Sequence, residues 1–316
     1  MRRVALIYNP ASGQHSWRKT TAIEQAVAVL RGAGIEPVTL ETQGPGSAEA
    51  LAEEAVRRGY DTVVACGGDG TVHEVLQALV GTDAALGVLP LGTANALAAN
   101  LGLPSSPAKA MRKLLAAQPV RVSVGRISYG DGTGETHARY FTVAAGVGVD
   151  ALVLSRLDAG LKRRFGYFLY MVEGFRVWAT HSFPLFEAVF EEPETAASRV
   201  VEVSQLLAVR IRDFGGVLHN LVPGATLHNE GLRLVAFKTR SRMQYSRFLV
   251  AVMFSRQTFT GQIELLDAAS VVCRPRNGSL TRIFAEADGE LLGHLPVSIE
   301  IVPQAVNLLI PANARP

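Results

Sequence analysis

The residues of this chain best able to do chemistry form the run Gly67-Gly68-Asp69-Gly70-Thr71. A short apolar stretch, Val63 to Cys66, precedes it, and Val72, Val75, Leu76 and Leu79 follow at helical spacing. The run therefore joins a buried strand to a helix. Its glycines permit a close backbone approach that a Cβ would block, so a valine at Gly68 is expected to exclude a bound phosphate. The N–H groups and positive dipole end of the helix favour such an anion. Asp69 is out of place in a pure anion nest; its carboxylate suits a metal ion or a hydroxyl that arrives with the phosphate. Two adjacent glycines alone would fit an ordinary turn, and the acid with its flanking elements is what points to a site. A second acidic run, Asp288-Gly289-Glu290, lies far downstream. Asp-Gly is a strong hairpin signal and a carboxylate is a competent proton acceptor. Spacing alone leaves both readings open.

The elements that must position these residues change character along the chain. Up to about residue 119, strand and helix alternate. Val4–Tyr8, Pro37–Thr42, Thr62–Ala65 and Ala85–Leu89 read as strands, with helices marked by Ile23, Ala26, Val27 and Leu30, by Ala48, Leu51, Ala52, Ala55 and Val56, and by the repeat after Thr71. Ser47 is placed to cap the second helix. This alternation predicts an α/β N-terminal domain built on a parallel sheet covered on both faces. Loops at 9–13, 67–71 and 90–95 all follow strands, where ligands of such sheets bind. Residues 120–304 read differently, as short β-rich runs at Val120–Ile127, Tyr140–Ala144, Phe186–Phe190, Val200–Ile211, Leu232–Phe237, Gln262–Leu266 and Val297–Ile301. They predict a mainly antiparallel C-terminal domain. Residues 305–316 hold a candidate last strand that could return to the first domain. Leu161 to Ala179 stands out as an aromatic helical stretch with a basic start, Lys162-Arg163-Arg164. It suits either a core helix or an element facing lipid, with Phe165, Phe168 and Leu169 toward acyl chains.

Composition narrows the class. With 48% apolar and 19% charged residues the chain is globular, not disordered. A net charge of +3 is too small to argue for nucleic acid, though it suits an anionic ligand or membrane surface. Cys66 and Cys273 lie far apart and suggest neither a zinc site nor a disulfide. The start, MRRVALIYNP, is too short in its apolar run for a signal peptide. No stretch approaches the length of a membrane span. The expected location is the cytoplasm, with any membrane contact peripheral.

Four motifs occur in order: Asn9-Pro10 with Ser12-Gly13, Gly67-Gly68-Asp69-Gly70-Thr71, Pro90-Leu91-Gly92-Thr93-Ala94-Asn95, and Asp288-Gly289-Glu290. In order and spacing the chain resembles the diacylglycerol kinase catalytic-domain family, above all its soluble bacterial lipid kinases. The resemblance implies a nucleotide-binding α/β domain of the NAD kinase and phosphofructokinase kind, followed by a β-sandwich lipid-binding domain. It implies transfer of the γ-phosphoryl group of ATP, with Mg²⁺, to a lipid hydroxyl at a membrane surface. Asn9, Ser12, Gly67, Gly68, Gly70, Thr71 and Thr93 would cradle the nucleotide, with Thr42 beside it. Asp69 would hold Mg²⁺ through water or orient the reacting groups. Asp288, or Glu290 next to it, would take the proton. The family also has a structural magnesium site, which here would fall on Glu230 and the carbonyls of Leu227 and Leu232, with glutamate where aspartate is usual. Asn95-Ala96-Leu97-Ala98 resembles the sphingosine kinase version of the third motif, so a sphingoid-base or ceramide-type substrate is an alternative. NAD kinase-like enzymes and a non-catalytic lipid- or nucleotide-binding regulator are the remaining rivals. Whether the chain forms a homodimer is left open.

Overall fold

The computed structural model describes residues 1–10, 16–130, 134–157, 172–191, 198–214, 221–254, 256–277, 281–312 and 314, with the side chains of 16–19 outside that description. These residues divide into two compact units, Met1–Ser123 with Pro303–Pro316, and Val124–Val302.

Unit 1 is built from β1 (Val4–Tyr8), α1 (Ser16–Gly32), β2 (Val38–Glu41), α2 (Ser47–Arg57), β3 (Thr62–Gly67), α3 (Asp69–Leu79), β4 (Ala85–Pro90), α4 (Ala96–Asn100) and α5 (Pro107–Leu115). β1, β2, β3 and β4 pair only in parallel, in the order β4-β3-β1-β2, and the end of the last strand of the chain adds beside β4 through Asn307↔Ala85 and Leu308↔Leu86. Every residue of β3 and β4 is buried. That explains why both read as continuous apolar runs and not as alternating ones. α3 turns Val72, His73, Val75, Leu76 and Leu79 inward, and α2 buries Ala48, Ala52 and Ala55.

One local expectation fails. Ser47 does not cap α2; its hydroxyl donates to Gly44 O (2.5 Å) and accepts from the amides of Gln43 and Gly44. The start of α2 is held instead by Glu74, whose two oxygens accept from Gly46 N and Ala48 N at 2.9 Å each. A carboxylate at a helix N-terminus meets both the unpaired amides and the positive dipole end.

Unit 2 takes in most of β5 (Gln118–Gly130), then β6 (Thr136–Phe141), β7 (Ala144–Val147), α6 (Val149–Arg156), a helix at 172–180 (α7), β8 (Phe186–Glu191), β9 (Ser198–Val203), β10 (Gln205–Val209), β11 (Leu232–Phe237), α8 (Arg242–Met253), β12 (Ile263–Ala268), β13 (Ser270–Pro275), β14 (Phe284–Ala287) and the first part of β15 (Glu290–Ile310). β12-β11-β10-β7-β14-β15 form one antiparallel path, and β15-β13-β8-β9 another. Alternate residues meet in a single core: Leu206 and Ala208, Leu232, Leu234 and Ala236, Phe186, Ala188 and Phe190, Leu295, Val297 and Ile299. This period of two is the signature of sheets with one face inward.

The run expected at Val200–Ile211 is two strands broken at Ser204, whose buried hydroxyl meets Thr239 O and Tyr245 Oη. α6 and α8 stand where no helix was expected. Of the aromatic stretch 161–179, residues up to 171 lie outside the described ones, and the remainder is helical. Both cysteines are free and buried, and burial pushes their thiols up.

Candidate functional site

The ends of β3 and β4 bring two glycine loops together in unit 1. Leu91 N donates to Gly67 O (2.9 Å), extending the β3–β4 pairing into the loops. Gly92 N donates to Asn95 Oδ1 (2.9 Å) and Asn95 Nδ2 returns to Gly92 O (2.8 Å), closing a tight turn with Asn95 at φ 51°. A Cβ on Gly92 would overlap the Cα of Gly68 and lie 2.9 Å from Asn95 Oδ1. Only glycine allows this approach. Asp69 fastens the arrangement: its Oδ1 accepts from Ala96 N (2.7 Å) and its Oδ2 from Asn95 N (3.0 Å). The carboxylate thus caps α4 from the first turn of α3. Asp69 and Glu74 together tie α3 to the helices on either side.

Of the other residues assigned to the nucleotide, Ser12 and Gly13 lie outside the described ones. Asn9 follows β1, and Thr93 is exposed in the second loop. Thr71 N donates to Gly68 O (3.0 Å). Thr42 follows β2, its amide bonded to Tyr8 O (2.9 Å), and its side chain is buried with no hydrogen-bond partner for Oγ1 among the described residues.

In unit 2, Asp288 and Gly289 form the tip of the β14–β15 hairpin, with φ 49° and 82°. Two consecutive positive φ values are what a two-residue turn of this hand requires. The Asp288 side chain turns back into the fold. Oδ2 accepts from Thr142 N (3.0 Å) and the Thr142 hydroxyl (3.4 Å), and Oδ1 from Val143 N (2.9 Å) and Ala144 N (3.1 Å). Four donors match the roughly four acceptor sites of a carboxylate. Glu286, buried two residues earlier in β14, accepts from Gly289 N at 2.8 Å. Glu290 opens β15 and is exposed.

The three residues expected at a structural magnesium site precede or open β11. The carbonyl of Leu227 accepts from Arg210 Nη2 (3.1 Å), Glu230 is exposed, and Leu232 is the first residue of β11, opposite Ala268. Among the described residues no group of three His, Cys, Asp or Glu could hold a metal.

A family model described as "Diacylglycerol kinase catalytic domain" matches residues 3–127, and one described as "YegS C-terminal NAD kinase beta sandwich-like domain" matches residues 142–310. The chain belongs to the diacylglycerol kinase catalytic-domain family. Among curated proteins of this family, it is 29% identical over 316 residues to a diacylglycerol kinase of Mycobacterium tuberculosis, covering 98% of this chain and 96% of that one. It is 27% identical over 313 residues to one of Bacillus subtilis, covering 98% and 97%. A solved structure of a Bacillus anthracis diacylglycerol kinase superimposes with a TM-score of 0.70 at 18% identity, over 99% of this chain and 98% of that one. Yeast NADH kinase with bound NADH follows at 0.51 and 10% identity, over 98% and 83%. These two likenesses concern the fold alone: an α/β unit and a β-sandwich unit in one chain.

Two acids in unit 2 escape a reading of the sequence. Asp150, in the first turn of α6, accepts from Ala151 N (2.8 Å) and places its other oxygen where a Cβ on Gly146 would stand. Gly146 sits opposite Glu286 in the β7–β14 pairing, so this acid backs the residue paired with Glu286. The pair Gly146 and Asp150 is a trace of this contact, legible only once a strand is known to end at Val147 and a helix to start at Val149. Burial pushes Asp150 up to about 7 from 3.8. The folded state therefore favours the protonated acid, and its contribution to stability is complete below about pH 4 and lost as the pH rises through about 7. Asp150→Asn should flatten the pH dependence of the urea midpoint across that window. An unchanged slope in the variant would show that Asp150 is not the titrating group.

Proposed function

We propose that the protein is an ATP-dependent lipid kinase that transfers the γ-phosphoryl group to the hydroxyl of a diacylglycerol-like lipid. The observation that carries this reading is the pair of glycine loops clamped by Asp69 at the strand ends of a parallel sheet, in a chain of this family. Such transfer depends mostly on positioning and electrostatic stabilisation. In this reading the start of α3 presents its amides and dipole to the phosphates. Asn9, Ser12, Gly67, Gly68, Gly70, Thr71 and Thr93 surround the nucleotide. Thr42 belongs with them, because a buried hydroxyl with no partner among the described residues suits a ligand that supplies one. Asp69 would act on a Mg²⁺ bound with the nucleotide through its charge, while its two oxygens fix the loop.

Glu290 accepts the proton of the lipid hydroxyl as that oxygen bonds to the γ-phosphorus and the bond to the departing ADP breaks. Asp288 is the positioning residue, its oxygens already engaged by Thr142, Val143 and Ala144. Purified protein with labelled Mg-ATP and a total lipid extract should yield a labelled phosphorylated glycerolipid on mass spectrometry. Label on a sphingoid base would change the substrate. Label on NAD⁺ alone would overturn the lipid reading, and the absence of any product would leave a binding protein.

A lipid substrate calls for a surface that meets a bilayer, and α7 and α8 supply one. Trp178 Nε1 donates to Arg242 O, and Arg242 donates to Trp178 O and His181 O, which joins the two helices. Their outer faces leave Phe175, Met243, Val250, Met253 and Phe254 exposed, with exposed Arg247 among them. Apolar side chains mixed with arginine suit an anionic interface. Lys162, Arg163 and Arg164, outside the described residues, precede the same helix in sequence. No described helix is long and apolar enough to cross a membrane, and the contact we propose is peripheral. Burying a phenylalanine contributes about 1.5–3 kcal/mol at most. Phe175→Ser with Phe254→Ser should therefore lower co-sedimentation with anionic vesicles by about tenfold or more. Undiminished binding would move the contact elsewhere.

A further inference from the structure

A buried arginine needs partners for its donors, because removing its charge from water is expensive. Arg210 is only 1% exposed. It follows β10, its amide bonded to Val143 O (2.9 Å). Nη1 donates to Asn229 O (2.8 Å) and Gly231 O (3.2 Å), and Nη2 donates to Leu227 O (3.1 Å). Three carbonyls of one short loop therefore turn toward a single guanidinium. Burial lowers its pKa to about 10, so it keeps its charge at neutral pH. Neighbouring bonds brace the same loop: Asn229 Nδ2 to Gly224 O (2.9 Å) and Arg233 Nε to Pro223 O (3.2 Å).

Convergent carbonyls are what a hard cation takes as ligands, and the family's structural magnesium would draw on this loop. Magnesium demands near-octahedral oxygens at short range. Here the Leu227 carbonyl already faces a positive charge, and a dication beside that guanidinium would be repelled. Glu230 is exposed. We propose that Arg210 is a built-in cation that occupies the place of the structural metal, so that the 227–232 loop holds its shape without Mg²⁺. A planar fork of donors serves this purpose, since it satisfies several carbonyls at once and cannot dissociate. The metal requirement of the enzyme then reduces to that of the nucleotide. This inference does not rest on the identity of the substrate.

The test uses the full chain without nucleotide. Metal analysis after gel filtration in Mg²⁺ should find no retained ion, and thermal midpoints in EDTA and in Mg²⁺ should coincide. A tightly held ion would instead raise the midpoint by several degrees. Such a rise, abolished by Glu230→Gln, would overturn the proposal. Arg210→Met keeps the stem and removes the donors, leaving buried carbonyls unpaired. Its midpoint should fall, with Arg210→Lys falling less, and a native midpoint in Arg210→Met would also overturn it. If Arg210→Met does not fold, the metal analysis and midpoints of the unmodified chain decide alone.

Discussion

Gly92→Ala should weaken Mg-ATP binding by roughly 10- to 100-fold, an overpacking cost of about 1–3 kcal/mol, while Gly68→Ala should cost far less. The two positions face each other, but their surroundings differ. A Cβ on Gly92 would overlap the Cα of Gly68 and come within 3.1 Å of its nitrogen. These are backbone atoms of a loop tied to β4 through Gly67 O and to α4 through Asp69, so nothing can rotate aside. The loops must part, and the bonds Leu91 N to Gly67 O and Gly92 N to Asn95 Oδ1 stretch with them. A Cβ on Gly68 meets the Cα of Gly92 at 3.4 Å, an ordinary contact. A bulkier residue there, such as the valine considered from sequence, tests phosphate access and loop spacing together. The alanine pair separates them. Calorimetric titration with a non-hydrolysable ATP analogue gives the affinities, and a thermal melt shows whether unit 1 stays folded. Equal affinity in the native and Gly92→Ala proteins would remove these loops from the nucleotide site.

Why some of this was legible in the sequence and some not follows from how far each interaction reaches. β3 and β4 are buried throughout, so their runs carry no polar alternation; β3 ends in Gly67 and β4 in Pro90, just before Gly92. A strand–loop–helix unit of that kind can be read locally. The hairpin at Asp288-Gly289 is equally local, since the two φ values belong to the turn residues themselves. The cap of α2 is not local. Ser47 has the right chemistry, yet Glu74 takes the position from another helix. α8 buries Tyr245, Phe248 and Val252 at helical spacing, but Met243, Leu249, Val250 and Met253 on its other faces hide the period. Arg210 was invisible for a further reason. Nothing in the run Val200–Ile211 marks it, and only the break at Ser204 and the fold of the 227–231 loop bring it among carbonyls. The metal expectation at Glu230 rests on motif resemblance, which records ligands and not the side chains around them, such as Arg210 at the Leu227 carbonyl.

Glu290→Gln should reduce turnover by about 10²–10⁴-fold, the range of general-base assistance, with little change in the thermal midpoint. Glu290 is exposed at the mouth of the hairpin, so the amide replaces the carboxylate without repacking, and the nucleotide loops are untouched. Asp288→Asn should behave differently. Three backbone amides and a hydroxyl converge on its oxygens, and an Asn side chain must turn an NH₂ toward donors. Hydrogen bonds to a charged group contribute about 1.5–3 kcal/mol each, so the midpoint should fall by several degrees. Turnover should fall too, because the turn that aims Glu290 loosens. The pH profile separates the roles. A base lost with Glu290 removes the acidic limb of kcat/KM, whereas a loosened turn in Asp288→Asn lowers the profile but keeps that limb. If Asp288→Asn melts like the native protein and alone loses the limb, Asp288 is the proton acceptor after all and Glu290 serves it. If both variants keep near-native turnover on a lipid that binds, the hairpin tip takes no part in proton transfer, and the acceptor must be sought among other acids of unit 2.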